Sequence, residues 1–340
     1  WYSTAINPDF TISGVCSASP SGIIHSSMPK VIARIFGGLG NQLFIYATAR
    51  ALAQRTGAEL VLDTHSGFQR DSYERQFSLQ HFNVQYREAN AMERFGFPLG
   101  RGFRYLLRNA NRHLPAQRRF YITDFFDPDK AYLPEITTRK PAPLTWLEGY
   151  WQSPRYFKDI RKTLQHELQV SGPLSAKTVS LAQTIREENA VCIHFRMLRH
   201  IIKGVKTGVD HKPEAAYFRK CIHFMSQKLG NPLFVCFSDD PQSVKSYLSD
   251  SANFLFVTHN KGDERAFEDF YLMAQCRHFI LSNSTFGWWP AWLNNNSDKI
   301  VITPEINYWD NQDILPDNWL RYDQIVHLVH SEKSERRRPN

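Results

Sequence analysis

Short apolar runs and helical patterns alternate through the second half of this 340-residue chain, and that alternation narrows the possible folds more than any other feature. Strands are predicted at Val191–Phe195, Leu233–Phe237, Phe254–Val257, His278–Leu281 and Lys299–Ile302. Helices are predicted at Pro213–Leu229, Pro241–Leu248, Phe267–Cys276 and Phe286–Leu293. Strand–helix alternation of this kind predicts an α/β fold with a doubly wound parallel sheet. Ligands of such sheets bind beyond the carboxyl ends of the strands. His194, Arg196, Ser238, Asp239, Ser284 and Thr285 all fall at or just past predicted strand ends, so the pattern gathers them along one edge.

The first half opens in the same way. Val31–Phe36 reads as a strand, Gly37–Gly40 as a turn, and Asn41–Thr56 as a helix that Gly57 ends. Glu59–Asp63 follows as a second strand. This strand–helix–strand unit favours a parallel pair. Residues 68–145 are dense in aromatic and basic side chains with mixed periodicity, and helices are expected around 88–113 with little sheet. Trp146–Trp151 resumes as a strand and Pro154–Leu168 as a helix. Val170-Ser171-Gly172-Pro173 marks a boundary between a domain of residues 28–172 and one of residues 173–330. Residues 1–27 are Ser/Gly/Pro-rich without periodicity and are expected to be a leader or disordered arm. The charged residues 331–340 are expected to form a solvated, disordered tail.

An apolar content of 42% and an aromatic content of 14% are enough for two cores. The formal charge of +8 makes an anionic partner plausible, but the basic residues are scattered, which argues against nucleic acid. The five cysteines form neither a CxxC pair nor a zinc-like spacing. Cys192, Cys236 and Cys276 sit in apolar patterns as small hydrophobes of a reducing compartment. No apolar run reaches the length of a membrane span, and a cytoplasmic, bacterial protein is the expectation.

Four segments carry chemistry. Asn283-Ser284-Thr285-Phe286-Gly287-Trp288-Trp289 places hydroxyls where a strand hands over to a helix, a point suited to phosphate; an N-capped helix with a tryptophan-rich core face reads equally well. Gly37-Gly38-Leu39-Gly40-Asn41-Gln42 lets backbone approach a ligand, with Asn41 able to cap the helix. The same segment partly matches a dinucleotide fingerprint with Asp63 as the acidic partner, although Leu43 stands where the third glycine belongs. Strand alternation puts His194 and Arg196 on one side, where an arginine can clamp a diphosphate bidentately or simply join a salt bridge. In Phe237-Ser238-Asp239-Asp240-Pro241, Asp240 suits a helix cap and Asp239 a ligand. Trp146, Tyr150 and Trp151 offer a sugar platform or core packing, and Glu268 and Asp269 open a helix.

Together these segments resemble the α-1,2-fucosyltransferase family, glycosyltransferase family 11. The resemblance lies in Phe36–Phe44 with Tyr46-Ala47, in Leu147–Ser153, in His194-Phe195-Arg196 and in Phe267–Leu293, in the family's order. It implies a GT-B fold, two Rossmann-like domains facing a cleft, with donor in the C-terminal domain and acceptor entering from the N-terminal side. It also implies inverting, metal-free transfer of L-fucose from GDP-β-L-fucose to O2 of a terminal galactose on an oligosaccharide. By the same resemblance, Arg196 contacts the diphosphate, and His194 and Asp239, with Ser238 beside them, frame the guanosine. Ser284, Thr285 and Phe286 form the phosphate loop. Asn41 faces the sugar from the loop of Gly38 and Gly40, and Tyr150 and Trp151 lie toward the acceptor. Asp63 and His65, just past the second strand, are candidates for the base. One departure stands out: the family pattern continues as Arg-Gly-Asp after His-x-Arg, and this chain has Met197-Leu198-Arg199. A dinucleotide-dependent oxidoreductase and a non-catalytic nucleotide-sugar or glycan-binding module are the competing readings.

Overall fold

The computed structural model describes residues 28–125, 132–196, 201–202, 205–206, 215–245, 248, 253–305 and 312–326. The expectations for residues 1–27 and 331–340, and the departure at Met197-Leu198-Arg199, lie outside the described residues. The first sheet is built from β1 (Lys30–Arg34), β2 (Glu59–Asp63), β3 (Arg87–Glu88), β4 (Tyr121–Thr123) and β5 (Leu144–Glu148), in the order β3-β2-β1-β5-β4. Between these strands run α1 (Leu39–Thr56), α2 (Gly100–Arg112) and α3 (Pro134–Thr137). After α4 (Arg161–Glu167) and α5 (Ala176–Glu187) comes the second sheet. Its strands are β6 (Ala190–Phe195), β9 (Leu233–Ser238), β10 (Phe254–Phe256), β11 (His278–Leu281), β12 (Val301–Thr303) and β13 (Leu320–Arg321). Their order is β10-β9-β6-β11-β12-β13. A small antiparallel hairpin of β7 (Ile201–Ile202) and β8 (Val205–Lys206) follows β6. The helices of this half are α6 (Ala215–Leu229), α7 (Pro241–Lys245), α8 (Ala266–Gln275) and α9 (Thr285–Leu293).

Every pairing within the two large sheets is parallel, so the protein holds two Rossmann-like α/β units of the GT-B type. Central strands lie in close register. Ile32 sits between Val61 and Trp146, and Ile193 between Cys236 and Ile280. All six residues of β6 are buried, as a strand covered on both faces requires.

α1 is buried on nearly every side, from Leu39 through Ala53, because β1 covers one flank and α9 the other. Its sequence therefore shows no single apolar stripe. Phe44 packs on Trp288 (ring centroids 4.7 Å) and Trp289 (4.9 Å), and Phe157 stacks on Trp289 at 5.4 Å. One apolar cluster thus runs from the first sheet into the second. Polar bonds reinforce it. The buried Glu167 accepts from the Tyr46 hydroxyl (2.6 Å) and from Arg50 (2.9 Å), and Arg161 donates to the carbonyls of Trp292 and Asn294 at the end of α9. A cation there also suits the helix dipole.

Several local expectations need correction. The segment after Pro154 is two 3₁₀ turns, Pro154–Tyr156 and Lys158–Ile160, before α4, because Phe157 leaves helical geometry at φ −141°. α5, β4 and β13 carried too little periodicity to be read. Asn41 does not cap α1, since the helix already begins at Leu39 with Gly38 in the capping position.

Asp269, in the first turn of α8, accepts from Asn260 Nδ2 at 2.8 Å, and burial pushes its carboxyl up to about 7. The folded value lies above the unfolded one, so between about pH 4 and 7 the folded protein holds a proton that the unfolded chain has released. The group's contribution to stability is complete below about pH 4 and is lost as pH rises through about 7. Asp269→Asn is expected to flatten this decline. Melting temperatures of wild type and variant at about pH 5 and about pH 8 check it; an equal fall in both proteins would assign the titration to another group.

Candidate functional site

Each sheet has one place where successive strands depart in opposite directions. In the second sheet it lies between β6 and β11: the chain passes from β6 outward to β9 and β10, then returns to add β11, β12 and β13 on the other side. In the first sheet it lies between β1 and β5. Loops leaving neighbouring strands diverge at such switch points and leave a crevice at the carboxyl edge.

Register sets the residues of the second crevice. His194 lies opposite Leu281 and Phe237, and Phe195 opposite Ser238. Arg196 therefore emerges between the end of β9 and the end of β11. Its side chain is 45% exposed, and Nη1 is 3.2 Å from Asp239 Oδ2. A guanidinium has five N–H donors, so one ion pair leaves others for a ligand. His194 is buried. Its Nδ1 is 3.3 Å from Ser282 Oγ, and its carbonyl accepts from the Ser282 N–H. Burial, and secondly the charge of Arg196, push its imidazole down to about 3, so the ring is neutral near pH 7 and acts as a hydrogen-bonding group. Phe286 lies 5.7 Å from the imidazole. Gly287 makes room for the ring, since a Cβ there would fall 2.6 Å from His194 Nδ1.

The capped-helix reading of the Asn283–Trp289 segment holds. Ser284 is the N-cap of α9, and its hydroxyl accepts from the Phe286 N–H at 3.4 Å. That bond uses an acceptor lone pair and leaves the Ser284 O–H free to donate elsewhere. Trp288 and Trp289 are fully buried behind the turn, with indole N–H groups donated to Ile314 O (2.9 Å) and Gly40 O (3.0 Å). Ser238 Oγ accepts from the Asp240 N–H at 3.0 Å, which shapes the turn that presents Asp239.

The first crevice carries the glycine loop and the segment after β5. Asn41 Oδ1 accepts from Gln152 Nε2 at 2.9 Å, so the two loops are tied directly. Gly37 has φ +78°, a conformation that suits glycine, and its α-carbon faces Asn41 and Tyr150. Tyr150 packs on Phe36 at 4.9 Å. The N–H groups of Tyr150 and Trp151 both donate to Asp124 Oδ2, at 2.8 and 2.9 Å.

The two crevices meet. A Cβ on Gly40 would stand 2.5 Å from the Phe286 nitrogen and from the Thr285 carbonyl carbon, so the glycine loop lies against the first turn of α9. This joins the sequence segments around residues 37–41, 150–152, 194–196 and 284–287. A profile of Glycosyl transferase family 11 matches residues 30–322. The chain belongs to glycosyl transferase family 11. It is 26% identical over 309 residues to an alpha-1,2-colitosyltransferase of Escherichia coli, covering 87% of this chain and all of that protein. It is 29% identical over 316 residues to the O-antigen biosynthesis glycosyltransferase WbnK of Escherichia coli, covering 84% of this chain and 97% of the relative. Galactoside alpha-(1,2)-fucosyltransferase 1 of Sus scrofa is 23% identical over 264 residues, or 76% of this chain and 63% of that protein.

Within this family 11 glycosyltransferase some expected roles change. Gly40 is needed for close approach of α1 to α9, so its missing side chain serves the junction. Trp151 is 1% exposed, with its ring edge-on to Tyr156, and offers no face to an acceptor; Tyr150 is the partly exposed member of the pair. Asp63 is buried and accepts from the N–H groups of His65 (3.2 Å) and Ser66 (2.9 Å), from Ser66 Oγ, and from Arg104 (3.4 Å). A carboxylate so engaged anchors its own loop, which removes it as a nucleotide-ribose acceptor and with it the support for an oxidoreductase. His65 lies 2.7 Å from Glu88 on the exposed side of that loop. Among the described residues, no group of three or more His, Cys, Asp or Glu could hold a metal ion, and no helix is long and apolar enough to cross a membrane. Gln152, Ser282, Gly287 and Asp124 were not singled out as site residues. Gln152 and Gly287 lie within family-like segments and were within reach. Ser282 also lies within a family-like segment, whereas Asp124 acts through tertiary contacts that no local pattern announces.

Proposed function

We propose that this protein is an inverting α-1,2-fucosyltransferase that moves L-fucose from GDP-β-L-fucose to O2 of a terminal galactose on an oligosaccharide, without a divalent metal. The observation that carries the reading is the meeting of the two switch-point crevices, one with a half-exposed arginine past the end of β6 and a hydroxyl-bearing helix start past the neighbouring β11. Residues 173–330 then hold the donor and residues 28–172 the acceptor. Breaking the bond to the leaving diphosphate builds negative charge. Arg196, the Ser284 and Thr285 hydroxyls and the positive end of α9 are the groups that stabilise it. His194, neutral and fixed by Ser282, frames the guanosine with Ser238, Asp239 and Phe286. Asn41, held by Gln152, orients the sugar, and Tyr150 presents an aromatic face to the acceptor. If cleavage of the donor bond runs ahead of attack, the acceptor hydroxyl needs only a weak base.

The test is incubation with GDP-fucose and lactose, following GDP release and determining the product linkage by NMR. GDP released together with an α-1,2-linked fucoside is the expected result. Transfer from GDP-colitose alone would correct the donor sugar, and a different linkage would correct the acceptor position. Prior treatment with a chelator is expected to leave the rate unchanged. Loss of the rate to EDTA, with recovery on adding Mg²⁺ or Mn²⁺, would overturn the metal-free reading.

A further inference from the structure

A cavity of about 180 Å³ opens at the carboxyl edge of the first sheet, and five of its lining residues are Arg34, Arg70, Arg94, Arg101 and Arg104. None of its lining residues is acidic. Two of the arginines are already neutralised: Arg34 by Glu148 at 2.8 Å, and Arg104 by Asp63 at 3.4 Å. Arg70, Arg94 and Arg101 form no ion pair among the described residues. Glu88, whose carboxyl is held below its usual range first by the Thr64 hydrogen bond and last by Arg94, is bonded to Thr64 (2.6 Å) and His65 (2.7 Å).

The wall is rigidly built. Ser66 Oγ accepts from Arg34 (3.0 Å) and Arg104 (2.9 Å), and Arg104 lies over the Phe95 ring at 5.1 Å and donates to Arg94 O at 2.5 Å. Like-charged guanidiniums around one small volume repel each other unless an anion joins them, and their planar forks match a carboxylate or a phosphate. A row of packed side chains links the cavity wall to the crevice of the first sheet. Arg34 lies over Phe36 at 5.4 Å, Phe36 packs on Tyr150 at 4.9 Å and on the 43%-exposed Phe125 at 5.8 Å, and Tyr150 adjoins the Gly37–Asn41 turn. Aromatic faces of this kind accept sugar rings.

We propose that the acceptor is an acidic glycan. Its carboxylate or phosphate docks among Arg70, Arg94 and Arg101, while its neutral rings lie along Phe36 and Tyr150 toward Asn41. This rests on the transfer reading above and adds a substrate class to it.

The test uses three galactose-ended oligosaccharides of equal length: one neutral, one carrying a glucuronate, and one carrying a phosphate ester. Equilibrium binding with GDP present, by calorimetry, is measured beside kcat/KM. The combined variant R70Q/R94Q/R101Q is run in parallel, with GDP affinity and melting temperature reporting its fold. Charged hydrogen bonds of this type are each worth about a factor of ten or more. One acidic oligosaccharide is therefore expected to bind at least about tenfold tighter than the neutral one, with the gain in KM, and to lose that advantage in the variant. The glucuronate and phosphate arms distinguish the two anions. Equal binding of acidic and neutral compounds, or a preference that survives in the variant, overturns the cavity's role. Acidic preference in binding without fucosyl transfer to any of the three leaves the cavity standing and refutes the transfer reading instead.

Discussion

Arg196→Ala is expected to lower GDP release from GDP-fucose in the presence of lactose by about a hundred- to a thousandfold, with little change in melting temperature. Removing one fixed donor from a site of developing negative charge costs about 3–4 kcal/mol in other enzymes that use such donors. The structure explains why the fold should tolerate the change. Arg196 is nearly half exposed, it lies beyond the end of β6 rather than within it, and among the described residues it pairs with one carboxylate, Asp239. Exposed pairs of this kind contribute at most about 1 kcal/mol to stability. Arg196→Lys keeps the charge but loses the planar fork, so its rate should fall between wild type and alanine. A variant with alanine at this position that retains near-normal turnover would remove the clamp and the mechanism built on it.

Gly40→Ala is expected to be strongly damaging, because it acts at the joint between α1 and α9. The added carbon meets backbone atoms of Thr285 and Phe286 at 2.5 Å, and no rotamer can relieve that contact. Either α1 and α9 move apart, which opens the Phe44–Trp288–Trp289 contact, or the first turn of α9 shifts, which moves Ser284 and Thr285. Overpacking of this kind costs about 3 kcal/mol, a fall in melting temperature on the order of 5 °C. Transfer activity is expected to fall with it, because the strained turn is the one proposed to hold the diphosphate. Gly102→Ala is the matched control. It lies in exposed α2 with no atom within 4 Å of an added Cβ, and should stabilise slightly, by roughly 0.5–1 kcal/mol. If both substitutions behave alike in thermal melts and activity assays, the close approach at Gly40 carries no weight.

The alternation of the second half was readable because β6, β9 and β11 are short, largely apolar strands separated by helices. The same is true of β1, α1 and β2. The region from 68 to 145 was not readable, for an identifiable reason. β3 and β4 are only two and three residues long, and α2 is a largely exposed helix whose apolar side chains Phe103, Tyr105 and Leu106 face outward, so periodicity did not reflect burial. Within the site, His194, Arg196, Ser238, Asp239, Ser284 and Thr285 could be named from their place at strand ends. Their pairings could not. Nothing in the linear order indicated that Arg196 meets Asp239, that Asn41 is held by Gln152, or that Asp63 is consumed by its own loop.

Local pattern alone determined that this chain forms parallel α/β sheets, which residues stand at their carboxyl edges, and which family it joins, because strand and helix periodicity and short segment order are properties of neighbouring residues. Only the tertiary structure decided that Gly40 serves the joint between α1 and α9, that Trp151 is buried while Tyr150 is partly exposed, and that five arginines scattered from 34 to 104 line one cavity. Those facts depend on the order of strands within each sheet and on the packing of one sheet's helix against the other's. That packing brings together groups more than a hundred residues apart, and only contact distances in space reveal it.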